Sequence, residues 1–270
     1  MIIGTSIMSA AEFERFRALI YNHAGISLSP EKKVMVASRL AKRLDYYNLD
    51  SYGDYYDLAL GDGHPHEFQT LVDILTTNET YFFREPKHFE FVRERILRQW
   101  RDGPFRAWSA ACSSGEEVYS LAMVCAETLG VQTWEIVGSD LSSRVLETAR
   151  HGLYPMDRLE QMDTRLLRKY CLKGVRSQQG YFRVDAKLRG RVSFEQVNLM
   201  KPPPASLGKF DLIFLRNVLI YFDQDTKKQV VERLLSALKP GGYFFISHSE
   251  SLHGIGGPLQ QISPSIYRKP

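Results

Sequence analysis

The stretch FRAWSAACSSGEEVYSLAMVCAETLG, residues 105–130, carries the pattern that decides the fold. Its first seven residues form a short, mainly apolar run, which is typical of a buried β-strand. A polar loop containing Gly115 follows, and residues 118–129 then have the length and apolar content of a helix that ends at Gly130. A strand, a loop and a helix in this order make one unit of an α/β sheet.

The same unit recurs along the rest of the chain. Further strands are predicted at residues 134–138, 192–197, 210–215 and 243–247, and helices at 142–150 and 226–238. This alternation predicts an α/β protein with a doubly wound, mainly parallel sheet. Residues 151–191 break the alternation, because Gly174 and Gly180 flank a polar turn ahead of a strand-like run at 181–184. We interpret residues 151–191 as a small antiparallel β insertion.

The segment before the first strand is predicted to be helical. Ser9 and Glu12 form a capping-box pair ahead of an apolar stripe, and Gly25 ends that helix. Further helices are predicted from residue 29, at 51–60, around 68–75 and at about 86–97. We therefore place an N-terminal all-helical domain at residues 1–85, and the α/β domain with its insertion at residues 86–270.

The composition limits the classes of protein to which the chain can belong. The 270 residues are 44% hydrophobic, which is enough for one large domain and a small one. No apolar run reaches the roughly 18 residues of a membrane-spanning helix, and the first nine residues lack the basic and apolar regions of a secretory signal. We therefore expect a cytoplasmic protein without membrane insertion. The net charge of +4 suits an acidic partner and does not require nucleic acid, so no nucleic-acid partner is predicted.

The three cysteines, Cys112, Cys125 and Cys171, show no CxxC spacing and cannot all pair with one another. This usage fits a reducing cytosol. The cysteines do not form a cluster with histidines at ligand spacing, so no metal site is predicted.

Polar residues follow the predicted strands, where a doubly wound sheet binds its ligand. In such sheets the ligand lies beyond the carboxyl ends of the strands, near the point where the strand order reverses. Residues 113–117 follow the first strand, Asp140 the second, Asn198 the third, and Arg216 with Asn217 the fourth. These residues are therefore candidates for a binding site.

The first of these loops argues against a dinucleotide cofactor. It holds one glycine in place of a G-x-G-x-x-G run, and Glu116 and Glu117 would repel a phosphate. Asp140 lies 25 residues beyond Gly115, close to the offset of about 20 residues at which an acid binds ribose hydroxyls. A nucleoside with a cationic group and no phosphate, such as S-adenosylmethionine, fits this pattern. Simpler roles also remain open, because the two glutamates suit a helix N-terminus and Asp140 can cap the next helix.

Four motifs resemble the CheR family of chemotaxis receptor methyltransferases. They are LTTNETYFFRE at residues 75–85, WSAACSSGEEVYS at 108–120, RNVLIYF at 216–222 and SHSES at 247–251. The resemblance covers essentially the whole chain, with the helical domain and the insertion included. Departures from the family pattern are near-isosteric or peripheral, and they occur at Cys112, Ser113, Val118 and Leu215.

The resemblance implies a class I methyltransferase fold and a protein-glutamate O-methyltransferase that serves sensory adaptation. Such an enzyme uses S-adenosylmethionine and releases S-adenosylhomocysteine. The implied cofactor-binding residues are Asn78, Thr80, Arg84, Glu117, Asp140, Asn198, Leu199, Arg216 and Asn217. The implied catalytic residues near the transferred methyl group are Arg84 and Tyr221. Because the first three cofactor residues lie in the predicted helical domain, the resemblance implies a site in a cleft between two domains.

A basic helix face is predicted to recognise the receptor, whose methylated segments are acidic helices. At 100° per residue, Arg39 and Arg43 lie within roughly 20° of Lys32, and Lys42 lies nearby. The alternative is an ordinary solvated face. The insertion resembles the β-subdomain with which some family members bind a receptor's C-terminal peptide, and the sequence leaves open whether this chain does so. We expect a monomer.

Two other functions remain compatible with the sequence. One is a methyltransferase that acts on RNA or a small molecule, with the basic helix binding phosphate. The other is a protein that binds S-adenosylmethionine as a signal without catalysis. Transfer of a labelled methyl group to receptor membranes, releasable as methanol by mild alkali, would favour the glutamate ester over both.

Overall fold

The computed structural model describes residues 7–159 and 162–270. The start of the predicted helical domain, residues 1–6, and residues 160–161 of the predicted insertion lie outside the described residues. By its internal contacts the chain divides into two units. The helical unit runs as far as Thr77 and includes Tyr221–Thr226, and the sheet unit comprises Asn78–Ile220 and Lys227–Pro270. The sequence prediction places this boundary later, after residue 85.

The helical unit is built from amphipathic helices with their apolar stripes in one core. Its helices are α1 (Ala10–Ala24), α2 (Lys33–Tyr47), α3 (Tyr52–Leu60) and α4 (Glu67–Leu75). α1 begins with the predicted capping box of Ser9 and Glu12, and it ends at Gly25 in the left-handed conformation. α2 begins later than predicted, because Pro30–Lys32 form a separate 3-10 turn ahead of it.

The remaining elements alternate as the sequence predicts. The strands are β1 (Phe105–Ala110), β2 (Trp134–Asp140), β3 (Leu153–Pro155), β4 (Cys171–Lys173), β5 (Tyr181–Val184), β6 (Val192–Gln196), β7 (Phe210–Phe214), β8 (Leu238–Phe245), β9 (Gln260–Ser263) and β10 (Ile266–Arg268). The helices are α5 (Pro86–Phe91), α6 (Glu116–Leu129), α7 (Ser143–His151), α8 (Thr164–Tyr170), α9 (Ala186–Arg189) and α10 (Gln224–Ala237). Among the described residues, none of the helices is both long and apolar enough to cross a membrane.

The main sheet is mixed and mostly parallel, with the strand order β6-β2-β1-β7-β8-β10-β9. Only the strands at its C-terminal edge, β9 and β10, pair in the antiparallel sense among those described, and the sequence did not predict them. The chain runs from β1 outward to β2 and β6, and then returns to β7 on the other side of β1. The strand order therefore reverses between β1 and β7, which is where a doubly wound sheet binds its ligand. The predicted fold class is confirmed.

The predicted insertion forms a small antiparallel sheet with the order β3-β5-β4. Tyr154 on β3 pairs with Phe182 on β5, and both side chains are almost fully buried. The insertion is therefore packed into the sheet unit on one side, while β4 lies at an edge of the small sheet.

Candidate functional site

The loop between β1 and α6 contains a glycine that its conformation requires. Gly115 has a φ of +94°, a backbone conformation that residues with a side chain rarely adopt. A Cβ added there would lie 2.8 Å from the Ala149 Cβ and 3.1 Å from the Tyr154 hydroxyl oxygen. The single glycine therefore lets α7 and the insertion approach this loop closely.

Asp140, at the end of β2, joins the first loop to the second. One carboxylate oxygen accepts a hydrogen bond from the Ser113 N–H at 2.8 Å, and the other accepts one from the Ser142 N–H at 2.9 Å. Ser142 in turn caps α7. Ser142, and not Asp140, is thus the cap of α7, while Asp140 ties two loops together at the carboxyl edge of the sheet, where the ribose contact is predicted.

The residues that follow β6 are fixed beside the end of β2. The Val197 N–H donates to the Asp140 carbonyl at 3.0 Å. Asn198 Oδ1 accepts from a backbone N–H of its own turn at 2.9 Å, and the Leu199 carbonyl accepts from Arg233 Nη1 at 3.3 Å. This turn therefore belongs to the same edge of the sheet as Asp140.

Arg216, just after β7, is the centre of a buried ion network. Its Nη1 donates to Glu117 Oε2 at 2.8 Å, and its Nη2 lies 3.1 Å from Glu85 Oε2. Nη2 also donates to the Arg84 carbonyl. The Arg216 side chain is 1% exposed. Two carboxylates therefore share one guanidinium away from solvent, and we call Arg216, Glu85 and Glu117 the Arg216 cluster.

Hydrogen bonds extend the Arg216 cluster to three polar side chains from different strands. Ser109, on β1, donates from Oγ to Glu117 Oε1 at 2.7 Å. Ser247, after β8, donates from Oγ to Glu85 Oε1 at 2.6 Å. Asn217 Nδ2 donates to the same Ser247 oxygen at 2.7 Å. The cluster is thus fixed by groups on both sides of the point where the strand order reverses.

The Arg216 cluster carries more negative than positive charge. Burial raises the pKa of Glu117 above the ordinary carboxyl value, and the charge of Arg216 opposes that shift only in part. Burial acts on Glu85 in the same direction, but the Ser247 hydrogen bond and Arg216 hold the pKa of Glu85 below that value. Arg216 Nε is buried without a hydrogen-bond partner among the described residues. A cationic ligand would balance the second carboxylate.

The segment that holds Asn78, Thr80 and Arg84 lies in the sheet unit, although the sequence prediction assigns it to the helical domain. The Asn78 carbonyl accepts from Ser113 Oγ at 3.0 Å, and the Thr80 carbonyl accepts from Arg158 Nη1 at 2.5 Å. Arg84 Nη1 donates to a carbonyl of its own segment at 2.9 Å. The predicted cofactor residues thus all belong to one unit.

Tyr221 lies in the helical unit. It ends a short 3-10 helix, Leu219–Tyr221, and its carbonyl accepts from the Ser27 N–H at 2.8 Å. The role of Tyr221 near the transferred methyl group stays a prediction.

Sequence reasoning gave no role to Glu85, Ser247 or Glu250. Glu250 Oε2 accepts from the Ser247 N–H at 2.8 Å and from the Asn217 N–H at 3.1 Å, and burial raises its pKa. Glu250 thus fixes the backbone that carries Asn217. The only sequence signal for these residues was their position inside the LTTNETYFFRE and SHSES motifs, which lie far apart in the chain.

The basic face of α2 contains two kinds of residue. Arg39 Nη1 donates to backbone carbonyls at the end of α4 at 3.1 to 3.3 Å. Arg43 forms a two-point salt bridge with buried Glu67, at 2.8 and 2.5 Å. Lys32 and Lys42 are exposed. Lys32 lies in the 3-10 turn ahead of α2, and the other three residues lie in α2, where both arginines make contacts inside the helical unit.

A group of ligand-type side chains adjoins the Arg216 cluster. Ligand atoms of Glu85, His88 and His248 lie within 4.8 Å of one another. His88 Nε2 and His248 Nδ1 both hydrogen-bond to Ser265 Oγ, at 2.7 and 3.0 Å. Burial and the charge of Arg216 lower the pKa of His88 to about 3, so His88 is neutral at physiological pH. Because Glu85 already pairs with Arg216 and both histidines hydrogen-bond to Ser265, we propose no metal site here.

Comparison with protein families gives two matches along the chain. The family model described as "CheR methyltransferase, SAM binding domain" matches residues 78–267. The model described as "CheR methyltransferase, all-alpha domain" matches residues 11–76. The break between the matches coincides with the division of the structure after Thr77.

The chain is also similar to proteins named as chemotaxis protein methyltransferases. It is 41% identical to the one from Escherichia coli, over 90% of this chain and 85% of that protein. It is 40% identical to the one from Salmonella typhimurium, over 96% of this chain and 90% of that protein. It is 40% identical to chemotaxis protein methyltransferase 2 from Pseudomonas aeruginosa, over 95% of this chain and 92% of that protein.

Proposed function

Because this chain belongs to the CheR methyltransferase family, we propose that it methylates glutamate side chains of chemotaxis receptors. It is a methyltransferase that uses S-adenosylmethionine. The products are glutamate methyl esters and S-adenosylhomocysteine, and the methylation serves sensory adaptation in the cytoplasm. Its relatives' names support the chemotaxis role, and the acceptor group is the part that we propose beyond them.

The observation that carries the cofactor site is the charge excess of the Arg216 cluster. One guanidinium faces two half-buried carboxylates, and the pKa of Glu117 is raised by burial despite that guanidinium. S-adenosylmethionine carries an ammonium and a sulfonium group, and a cation beside Glu117 would stabilise its ionised form. The residues at the end of the sheet therefore fit this cofactor better than a phosphate-bearing one.

Other strand-end residues would hold the rest of the cofactor. Each oxygen of the Asp140 carboxylate can accept more than one hydrogen bond, so its amide contacts are compatible with the proposed ribose contact. We assign further cofactor contacts to Asn78, Thr80, Arg84, Asn198, Leu199, Arg216 and Asn217. All of them belong to the sheet unit, which supports one continuous site for the cofactor.

The acceptor needs little chemical activation. A glutamate carboxylate is already ionised at neutral pH, so no general base is required. When bound, S-adenosylmethionine supplies an activated methyl group. The protein then contributes mainly proximity and alignment, which are together worth up to about 7–11 kcal/mol in favourable cases.

We assign Arg84 to orient the acceptor carboxylate and Tyr221 to hydrogen-bond the acceptor or the donor. Arg84 is half-buried and donates one hydrogen bond to the Glu79 carbonyl. A guanidinium has five N–H donors, so this bond is compatible with a second one to a carboxylate. If Arg84 orients the acceptor, Arg84→Ala lowers turnover even at saturating cofactor. Full recovery at saturating cofactor would restrict Arg84 to cofactor binding.

The receptor surface that we propose is the basic face of α2, where Lys32 and Lys42 are exposed. Acidic receptor helices would meet these charges, and Arg39, which bonds to neutral carbonyls, would add to the positive potential, whereas Glu67 balances the charge of Arg43. The small sheet offers a second contact, because β4 lies at its edge and Leu172 on β4 is 59% exposed. A receptor's C-terminal peptide could extend the sheet there by strand addition.

The experiment that tests the proposed function is transfer of a labelled methyl group to receptor-rich membranes. The expected product is a label on the receptor that mild alkali releases as methanol. A membrane preparation without receptors is the control. An alkali-stable label, or label recovered in RNA or a small molecule, would assign the enzyme a different acceptor. Stoichiometric cofactor binding without turnover would instead indicate a sensor.

A further inference from the structure

The insertion touches the backbone of the proposed cofactor site at two places. The Tyr154 hydroxyl donates to the Ser114 carbonyl at 2.7 Å, within the loop between β1 and α6. Arg158 Nη1 donates to the Thr80 carbonyl at 2.5 Å. Neither contact belongs to the peptide-binding role proposed for the insertion, since both face the strand ends of the main sheet.

An apolar contact fixes the insertion to the segment that carries Thr80. Phe82 is fully buried, and its ring centroid lies 5.1 Å from that of Tyr154 and 5.5 Å from that of Phe182. The Tyr154 and Phe182 rings are 5.7 Å apart. These three rings form one packed group, so the small sheet and the Thr80 segment are held as neighbours by more than a single hydrogen bond.

Arg158 makes the polar part of this connection. Besides the Thr80 contact, its own carbonyl accepts from the Phe82 N–H at 3.4 Å. Its positive charge also acts on Glu116, which is 1% exposed at the start of α6. Burial raises the pKa of Glu116, and the charge of Arg158 opposes that shift. Arg158 therefore bonds to the Thr80 segment through its side chain and through its backbone, while Tyr154 bonds to the loop ahead of α6.

We propose that Arg158 is a positioning residue for the cofactor site, and this inference rests on the proposed function. Its guanidinium holds the Thr80 segment against the insertion, whose Tyr154 bonds to the loop ahead of α6, so that the cofactor meets a preformed set of contacts. Arg158 lies in the insertion and bonds to the Thr80 carbonyl, and so it acts on the cofactor through the Thr80 segment. Loss of its side chain should weaken cofactor affinity and raise KM for the cofactor, while kcat at saturating cofactor changes little.

The test is calorimetric titration of S-adenosylhomocysteine into the full chain. Arg158→Ala removes charge and donor, Arg158→Gln keeps a donor, and Arg158→Lys keeps the charge. A charge-assisted hydrogen bond in a partly exposed position corresponds to about a tenfold change in affinity. We expect Arg158→Ala to bind about tenfold more weakly, Arg158→Gln to lie in between, and Arg158→Lys to recover most of the affinity. Arg168→Gln, an exposed arginine in α8 of the insertion, is the matched control and should bind like the wild type.

The outcomes separate this inference from the proposed function. If the wild-type chain does not bind S-adenosylhomocysteine, the cofactor assignment itself fails. If the wild type binds it and Arg158→Ala binds within about twofold of that value, Arg158 does not position the site and the inference is wrong. Should Arg158→Ala fail to fold, Arg158→Gln decides: wild-type affinity in that variant contradicts the inference. A fall in kcat with unchanged KM would also contradict it.

Discussion

Two arginine–carboxylate clusters of this protein differ in their balance of charge. In the helical unit, Arg43 binds Glu67, whose side chain is 4% exposed. The hydroxyls of Tyr47 and Tyr55 donate to the same carboxylate at 3.0 and 2.7 Å. Burial alone would raise the pKa of Glu67, but the hydrogen bonds from Arg43 and the two tyrosines hold it below the ordinary value. In this Arg43 cluster one cation matches one anion, and both carboxylate oxygens are hydrogen-bonded.

The Arg216 cluster has one cation for two anions. Arg216 contacts Glu117 and Glu85 at once, and the pKa of Glu117 remains above the ordinary carboxyl value. Burying a charge without a counter-charge lowers the stability of a folded protein. Such charges are therefore found mainly at functional sites. We infer from this comparison that the balanced cluster serves the fold, and we propose that the unbalanced one is completed by the cationic group of the cofactor.

The largest expected effect is a loss of stability in the Arg43 cluster. Arg43→Met leaves the Glu67 carboxylate buried without its cation, which should lower the free energy of unfolding by about 3 kcal/mol. Denaturant unfolding followed by circular dichroism measures this change. The affinity for S-adenosylhomocysteine, measured under folding conditions, should stay at the wild-type value. A loss of affinity without a loss of stability would reverse the roles that we assign to the two clusters.

Asp140 has a structural role, since it accepts hydrogen bonds from two loop amides, and a proposed binding role at the cofactor ribose. Asp140→Ala would leave both the Ser113 and the Ser142 amide without an acceptor, whereas Asp140→Asn keeps an acceptor for one of them and is the milder variant. Loss of a charge-assisted hydrogen bond should weaken the binding free energy by about 1.5–3 kcal/mol, which corresponds to a roughly 10- to 150-fold weaker affinity for S-adenosylhomocysteine. Calorimetry provides the affinity and thermal unfolding the stability. Unchanged affinity in a folded Asp140→Asn protein would remove the ribose contact from the site.

The affinity for S-adenosylhomocysteine should depend on pH through Glu117. Burial raises the pKa of Glu117 in the free protein, and the ligand's ammonium group should lower it in the complex. The ligand then binds most tightly at pH values above the pKa of Glu117 in the ligand-free protein. Below that pKa, the affinity falls by up to about tenfold per pH unit. Titrations in a pH series from neutral to mildly acidic conditions measure the slope. Glu117→Gln should flatten it, and an equal slope in both proteins would assign the effect to another group.

The smallest expected effect concerns the exposed lysines of α2. Reversal of Arg39 and Arg43 would disrupt their contacts with α4, so it cannot isolate recognition. Lys32→Glu with Lys42→Glu should slow receptor methylation about threefold or more at low salt, and less at high salt because exposed charges are screened. Cofactor affinity should be unaffected. The matched control reverses Lys201 and Lys228, which are exposed in the sheet unit. Equal rates in both double variants would leave α2 as a solvated face.

Local sequence signals predicted the elements well. The capping box at Ser9 and Glu12, the stop at Gly25 and the strand–helix alternation all depend on neighbouring residues, and the structure contains each of them. The C-terminal hairpin of β9 and β10 was missed because its strands are short, and β9 is largely polar and exposed. The family resemblance supplied the residues between 78 and 84, which no periodicity would have brought to the sheet.

The environment of a charged side chain was harder to predict. Helix geometry placed Arg39 and Arg43 on one face, but the partner of Arg43 is Glu67, on a different helix. Glu85 and Ser247 meet although 162 positions separate them in the chain. Both pairs form only through tertiary packing. A sequence pattern therefore identifies side chains that are candidates for ligand contacts, but it does not show which of them already pair with other residues of the protein.

Titration of S-adenosylhomocysteine into the wild type and Glu117→Gln at neutral pH tests most directly whether the charge excess of the Arg216 cluster binds the ammonium group of the cofactor. The substitution keeps the shape of the side chain and removes one buried negative charge. We expect roughly 10- to 100-fold weaker binding. The free energy of unfolding of the ligand-free protein should be unchanged or higher, because the remaining guanidinium and Glu85 balance each other. Wild-type affinity in a folded Glu117→Gln protein, or a loss of stability without a loss of affinity, would contradict this assignment.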